Sequence, residues 1–565
     1  MRHEMVRPDW LSPSSFCRGN NLSSKFPSNP PSLFAPTFSY LPILGSPFIF
    51  CPVAVAAAQL VVVPYSMLLS SNTRQAVGLE LTQSLVLVDE AHNLPEAIRA
   101  TTSASCSLST LQGSSTQLSN YTTKYLHQLG GQALHFLGQL RKIVTALISH
   151  LEKSESEHVA SRLQSPSELV LDLNLDRINL FPLLRYVERS RLSQKLLGFL
   201  AKDDTESTLS KHVSPMSLVE GMLHKLLLDQ DHGKIVTDSA TKELRYVLLH
   251  PAVGCPELFQ QPYGVCLVGG TLRPFGYLAA ELVQDVKVVE QATQADAAAG
   301  KGRYQQDRVT AFSCSHVVSP NNVLLQSLSK VGGTSLDFRH ATRSTPAVLS
   351  ALGTALLELC RRIPHGLVAF LPSYAYEAKL IEYWKSTGVY SKLQAMKSVF
   401  REPKSSSQVE ATLQAYSEAA ASTQGALLFS VVGGKLSEGI NFANDLARGV
   451  VVVGLPYPNP TDPTLVAKLK LLDSTPGGMS GRAYYQTLCM RAINQSVGRA
   501  IRHADDYASI ILVDARYVTD HKVAQALPQW LTSSTEGWQN THSLDQVTRN
   551  LESFFQPRKV KTEID

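Results

Sequence analysis

Short apolar runs recur along the chain, each stopped by a glycine, a proline or an acid. They fall at 60–63 (LVVV), 85–88 (LVLV), 265–268 (VCLV), 367–371 (LVAFL), 426–432 (ALLFSVV), 450–453 (VVVV) and 510–513 (IILV). The runs are continuous rather than alternating, which is the pattern of strands covered on both faces. Longer amphipathic stretches separate them, as at 345–362 and 373–386. Strand-like runs alternating with helical periods predict an α/β fold built on doubly wound parallel sheets.

Several stretches break this rhythm. Residues 106–235 carry mostly helical periods, with Leu, Ile, Val and Phe three and four residues apart over 122–152, and predict a mainly helical insertion. Residues 290–308 (EQATQADAAAGKGRYQQDR) are polar and rich in Ala, Gln and Gly, which predicts a surface loop. Residues 1–50 are rich in Ser, Pro and Asn without any period, and read as a disordered or non-native leader. The apolar stretch at 41–69 is broken by Pro42, Pro47, Pro52 and Pro64, so a spanning helix of about 20 apolar residues is not expected there.

Composition adds little to this picture. The chain has 565 residues, is 44% hydrophobic and 18% charged, and carries a net charge of +5. That fits a globular protein of several domains; the mild basicity permits nucleic-acid contact without arguing for it. The eight cysteines form no C-x-x-C pair, which speaks for a reducing compartment and for cysteines used as small buried apolar residues.

The candidate chemistry sits where strands end. In open α/β sheets ligands bind beyond the carboxyl ends of the strands. Asp89-Glu90 follows 85–88 and Gly269-Gly270-Thr271 follows 265–268. Pro372-Ser373-Tyr374 follows 367–371, Gly433-Gly434-Lys435 follows 426–432, and Pro456-Tyr457 follows 450–453. An acid pair after a buried strand can hold hydrated Mg²⁺ through the first carboxylate and polarise an attacking water through the second. Asp89 is thus a metal candidate, Glu90 a base, and His92 a link to a facing domain.

A second cluster lies at 495–502 (QSVGRAIR). On a helix, Gln495, Arg499 and Arg502 share a face at i, i+4 and i+7, with Gly498 allowing close approach and Val497, Ala500 and Ile501 anchoring the other face. Two such arginines suit a triphosphate, and an arginine finger contributes roughly 10³–10⁵ in rate. Gly433-Gly434-Lys435 is not a phosphate loop, because Leu436 stands where Ser or Thr is required. It reads as a tight loop leading into Ser437-Glu438-Gly439-Ile440-Asn441-Phe442.

Taken together, VVVPYSMLL (61–69), LVDEAHNL (87–94), GGTLRP (269–274), GLVAFLPSY (366–374), VVGGKLSEGINF (431–442), GLPYPNP (454–460) and NQSVGRAIRH (494–503) resemble the XPD-like iron–sulfur DNA helicases of superfamily two, and the ChlR subgroup most. The resemblance implies two RecA-like motor domains with a helical Arch-type insertion, ATP hydrolysis with Mg²⁺ between them, and 5′-to-3′ movement on single-stranded and forked DNA. It implies nuclear work in replication, repair and chromatid cohesion. Asp89 and Glu90 then carry metal and water, and His92, Arg499 and Arg502 complete the catalytic set. Gln495, Gly498, Glu438, Gly439 and, weakly, Asn441 meet nucleotide, while Thr271, Ser373 and Tyr65 contact DNA or couple the domains.

The departures from the family pattern shape the expectation for this chain. No G-x-x-x-x-G-K-[ST] segment occurs, and of the four thiolates that a [4Fe–4S] cluster requires only Cys51 matches a family position. The expected division is a leader at 1–50, a partial first motor domain at 51–105, and the insertion at 106–235. A return to the first domain follows at 236–280, then the second motor domain at 281–556 and a tail at 557–565. The chain reads as a truncated helicase that is inactive alone, with a non-catalytic DNA- or partner-binding form as the alternative.

Overall fold

The computed structural model describes residue 55 and residues 58–562, apart from 157–160, 201–213, 228–231, 284–287, 291–308, 314–315, 437–441, 476–478, 536 and 539–541. The expected leader at 1–50 and nearly all of the loop at 290–308 therefore lie outside the described residues.

In chain order the main strands are β1 (Leu85–Val88), β2 (Ala104–Ser107), β3 (Ser161–Gln164), β4 (Gly233–Asp238), β5 (Glu243–Leu248), β6 (Gly264–Leu267), β7 (Val323–Leu328), β8 (Gly366–Leu371), β9 (Ser398–Arg401), β10 (Ala426–Val431), β11 (Gly449–Val453) and β12 (Ala508–Val513). The helices that matter below are α1 (Leu94–Thr102), α2 (Leu108–Lys124), α3 (Gly131–Ser156), α4 (Phe275–Leu282), α5 (Pro346–Arg362), α6 (Tyr374–Ser386), α7 (Pro463–Ser474), α8 (Gly481–Gly498) and α9 (Leu544–Thr562).

The expected second motor domain is a six-stranded, all-parallel sheet in the order β9-β10-β8-β11-β12-β7. Every residue of β8, β10, β11 and β12 is buried, as continuous apolar runs require when helices cover both faces. Alternate residues enter separate cores. Val368, Phe370, Val450 and Ile510 pack with Cys489, Ile493 and Val497 of α8, and Leu367, Ala369, Val451 and Ile511 pack with α5 and α9. Strand β7 is not an apolar run, because buried Gln326 and Ser327 interrupt it. Both are satisfied from the C-terminal region: Gln326 accepts from Asn550 (3.0 Å) and Ser327 donates to the carbonyl of Trp538 (3.1 Å).

Among the described residues, the expected first motor domain contributes a two-stranded parallel sheet, β1 beside β6, with Val86 paired to Val265. Burial alternates along β1, so Leu85 and Leu87 are exposed while Val86 and Val88 are buried. The expected strand at 60–63 does not form. It finds no ladder partner, and Val62 is exposed ahead of the Pro64 turn into a short helix at Tyr65–Leu69.

The insertion corrects the sequence expectation in part. It is mainly helical through α2, α3 and further helices, but β2, β5, β4 and β3 also form a four-stranded antiparallel sheet. Residues 236–248 therefore belong to this sheet, not to the parallel sheet of the first motor domain. These strands are short and half-polar, such as ASCS and SRLQ, and left no apolar run to read. Helix α4 crosses the expected boundary at 280/281, because Leu278 and Leu282 belong to the core that holds Val86, Val88 and Leu94. Helix α9 likewise runs through most of the expected tail.

Candidate functional site between the motor domains

The acid pair sits on a turn held from two sides. The Ala91 N–H donates to the Val268 carbonyl (2.9 Å), which ties the turn after β1 to the end of β6. The Tyr65 hydroxyl donates to the Asp89 carbonyl. Glu90 adopts a left-handed backbone (φ 47°), a strained conformation for a residue with a side chain. Its N–H donates to Asp89 Oδ1 (2.9 Å). Both carboxylates are exposed. An exposed carboxylate such as Asp89 is a donor type that a hydrated Mg²⁺ uses together with substrate phosphates. Glu90 Oε2 lies 3.3 Å from His92 Nδ1, and His92 is 8% exposed. Burial lowers the His92 pKa; Glu90 opposes this, and Arg491 and Arg499 lower it further.

Arg491 and Arg499 reach His92 from the other domain. Arg491 Nη1 donates to the His92 carbonyl (3.5 Å). The expected helical face at 495–502 is corrected here. Helix α8 ends at Gly498, Arg499 is its C-cap residue, and Arg502 lies beyond the helix. The turn is enforced by Asp506, only 1% exposed. Its Oδ2 accepts the N–H groups of Arg502 (3.3 Å) and Asn444 (3.4 Å), and its Oδ1 pairs with Arg448 Nη1 (2.9 Å). Val497, Ala500 and Ile501 are buried, as expected. A Cβ at Gly498 would meet no protein atom within 4 Å, so protein packing does not require a glycine there. Arg502 is exposed, and its basicity is lowered first by partial burial and then by Arg499, with Glu90 opposing. Glu90, His92, Arg491, Arg499 and Arg502 thus interact electrostatically across one cleft. Gln495, half-buried, stands one turn after Arg491 on the same side of α8.

The remaining expected residues divide. Thr271 is in the loop after β6 with a buried hydroxyl that has no partner. Ser373 is the N-cap of α6 and accepts the Tyr376 N–H (3.2 Å). Glu438, Gly439, Asn441 and Cys51 lie outside the described residues. Among the described residues no three His, Cys, Asp or Glu side chains gather to hold a metal, and Cys106, Cys255, Cys360 and Cys489 are separately buried. Those four described cysteines, each buried apart from the others, are not the gathered thiolate set that a cluster uses.

Sequence reasoning missed Arg491, Asp506 and a buried charge cluster beside the cleft. In that cluster Glu281 of α4 pairs with Arg99 of α1 (3.1 Å) and with Lys468 of α7 (3.3 Å), and Lys468 also donates to the Leu249 carbonyl (2.7 Å). Arg491 had a signal, its position four residues before Gln495. The cluster had none, because its members lie up to 369 residues apart in sequence (468 less 99).

The chain is similar to proteins of one known family. A family described as a helicase C-terminal domain matches residues 356–534, and the DEAD_2 family matches 45–111. The ATP-dependent DNA helicase DDX11 of Danio rerio is 34% identical over 91% of this chain and 63% of its own length. The ATP-dependent DNA helicase chl1 of Aspergillus clavatus is 30% identical over 89% of this chain and 70% of its own length. The mouse DDX11 protein is covered over 59% of its length, so the chain spans about six tenths of these vertebrate relatives. A solved structure titled XPD_APO shares the fold at a TM-score of 0.50, with 16% identity over 85% of this chain and 80% of that one. The chain belongs to the DDX11/CHL1 family of ATP-dependent DNA helicases, XPD-like members of superfamily two with two RecA-like motor domains.

Proposed function

We propose that this chain supplies the two facing walls of the ATP cleft in a 5′-to-3′ helicase acting on single-stranded and forked DNA. The observation that carries this reading is the meeting of Glu90–His92 with Arg491, Arg499 and Arg502 across the motor-domain junction. Asp89 would hold Mg²⁺, whose charge stabilises the phosphates of bound ATP. Glu90 orients and deprotonates the attacking water, and the arginines of the second domain stabilise charge developing on the transferred phosphoryl group. Neutral His92 relays the state of one wall to the other. Nuclear residence and work in replication, repair and chromatid cohesion follow from the same reading.

Gripping the β- and γ-phosphates also takes a backbone cradle with a lysine, and the 565 residues contain no matching segment. The polypeptide as it stands is therefore expected to bind single-stranded DNA without turning over ATP, and to purify anaerobically without iron and sulfide in cluster stoichiometry. DNA-stimulated hydrolysis that vanishes in Glu90→Gln would contradict this. Failure to bind a fluorescent oligonucleotide in anisotropy at low salt would remove the DNA-binding reading itself.

A further inference from the structure

Glu402, just past β9, carries a carboxylate that is nearly buried, at 8% exposure. Its Oε1 accepts the Tyr374 hydroxyl (2.8 Å) and the Leu436 N–H (3.1 Å). Its Oε2 accepts the Ser430 hydroxyl (2.7 Å) and the Val431 N–H (2.8 Å). An ionised carboxylate offers about four lone-pair sites, so this acceptor is filled. The donors come from two segments distant in sequence: the start of α6 after β8, and the end of β10 with the loop that follows. A Cβ at position 434 would fall 2.3 Å from Glu402 Oε1, so Gly434 is needed for the approach of this side chain. Lys435 adds a second tie through its ammonium to the Lys404 carbonyl (2.7 Å).

We propose that Glu402 is a positioning residue that joins the 372–376 loop to the 430–436 loop, so that the two shift as one body when the cleft changes state. The consequence for coupling rests on the helicase reading, in which Ser373 would contact DNA or couple the domains and Glu438, Gly439 and Asn441, next in sequence after the other loop, would meet nucleotide. A motion begun at either ligand is then passed through one carboxylate. The link itself does not depend on that reading.

Hydrogen–deuterium exchange of the full chain, read by mass spectrometry without DNA or ATP, tests it. In Glu402→Gln one oxygen becomes an NH₂ group that faces donors, and both loops should exchange at least about tenfold faster while β12 keeps its protection. Tyr374→Phe removes one donor from the first loop and keeps the charge. It should speed exchange in 430–436 as well as in 372–376, and it decides the matter if the Glu402 variant does not fold. Wild-type exchange in either loop of a folded Glu402→Gln protein would overturn the proposal. So would a Tyr374→Phe effect confined to 372–376, or a uniform rise across the second domain.

Discussion

The Lys468 ammonium lies 3.3 Å from the Glu281 carboxylate, joining α7 of the second motor domain to α4 of the first with both side chains at 5% exposure or less. Removing one partner of such a pair leaves an uncompensated buried charge. Glu281→Gln removes the buried counter-charge shared by Arg99 and Lys468, leaving Arg99 only the exposed Glu96 (2.9 Å), and should cost about 3–5 kcal/mol. Lys468→Met leaves the Glu281–Arg99 pair intact and should cost about 1.5–3 kcal/mol, the worth of a charged hydrogen bond. Urea denaturation with separate probes in each motor domain checks the order. A smaller loss in Glu281→Gln than in Lys468→Met would refute the assignment.

His250 packs beside the same cluster. Burial first, and then Lys468, hold its pKa down to about 4, and its ring lies edge-on to His232 (5.6 Å). The folded pKa lies below the unfolded value of about 6.5. The contribution of the neutral ring is therefore complete above about pH 6.5 and is lost as pH falls through about 4. Thermal midpoints should drop over that window at constant ionic strength. In His250→Gln, which cannot be protonated, the slope should flatten.

Arg491 should hold His92 neutral. Because Arg491 is one of the charges lowering the His92 pKa, Arg491→Met should raise it, and Arg491→Lys should leave it near the wild-type value. Titration of the His92 ring by NMR in selectively labelled protein, assigned by its loss in His92→Gln, measures this directly. An unchanged midpoint in Arg491→Met would remove Arg491 from the cleft's electrostatics.

Ser373 combines a helix cap with an expected DNA contact, and substitutions separate the two. Ser373→Ala should cost about 1 kcal/mol through loss of the cap on Tyr376 N–H. Ser373→Asp keeps an N-cap acceptor but sets a negative charge against the DNA backbone. If the loop faces DNA, Asp should weaken oligonucleotide binding more than Ala does while restoring stability. Equal binding by the two variants would make Ser373 a cap alone.

Much of the second motor domain was legible because its central strands are buried on both faces and spell unbroken apolar runs; four of its six strands fall on such runs. Strand β7 was hidden because Gln326 and Ser327 are made acceptable in the core by partners more than 200 residues away. The insertion's sheet was hidden because its strands are short and half-polar. At the site, the DEAH turn and the arginines were readable as motifs, but the end of α8 at Gly498 was not. That end depends on Asp506 accepting the Arg502 N–H, a contact the helical period at 495–502 gives no sign of. Glu402 was invisible for a related reason: two of its donors are backbone N–H groups, and the other two, the Tyr374 and Ser430 hydroxyls, each lie 28 residues away in sequence.

The open side of β1 has a practical outcome for anyone handling the polypeptide. Leu85 and Leu87 stand 64% and 63% exposed on a sheet of two strands, and Cys266 and Val268 on the neighbouring strand and its end are also uncovered. A two-stranded sheet is marginal in isolation, and its outer backbone groups can template another strand. The first motor domain should bind apolar dyes, and its particle size should grow with protein concentration. Solubility, rather than unfolding of the six-stranded sheet, would then set the upper working temperature.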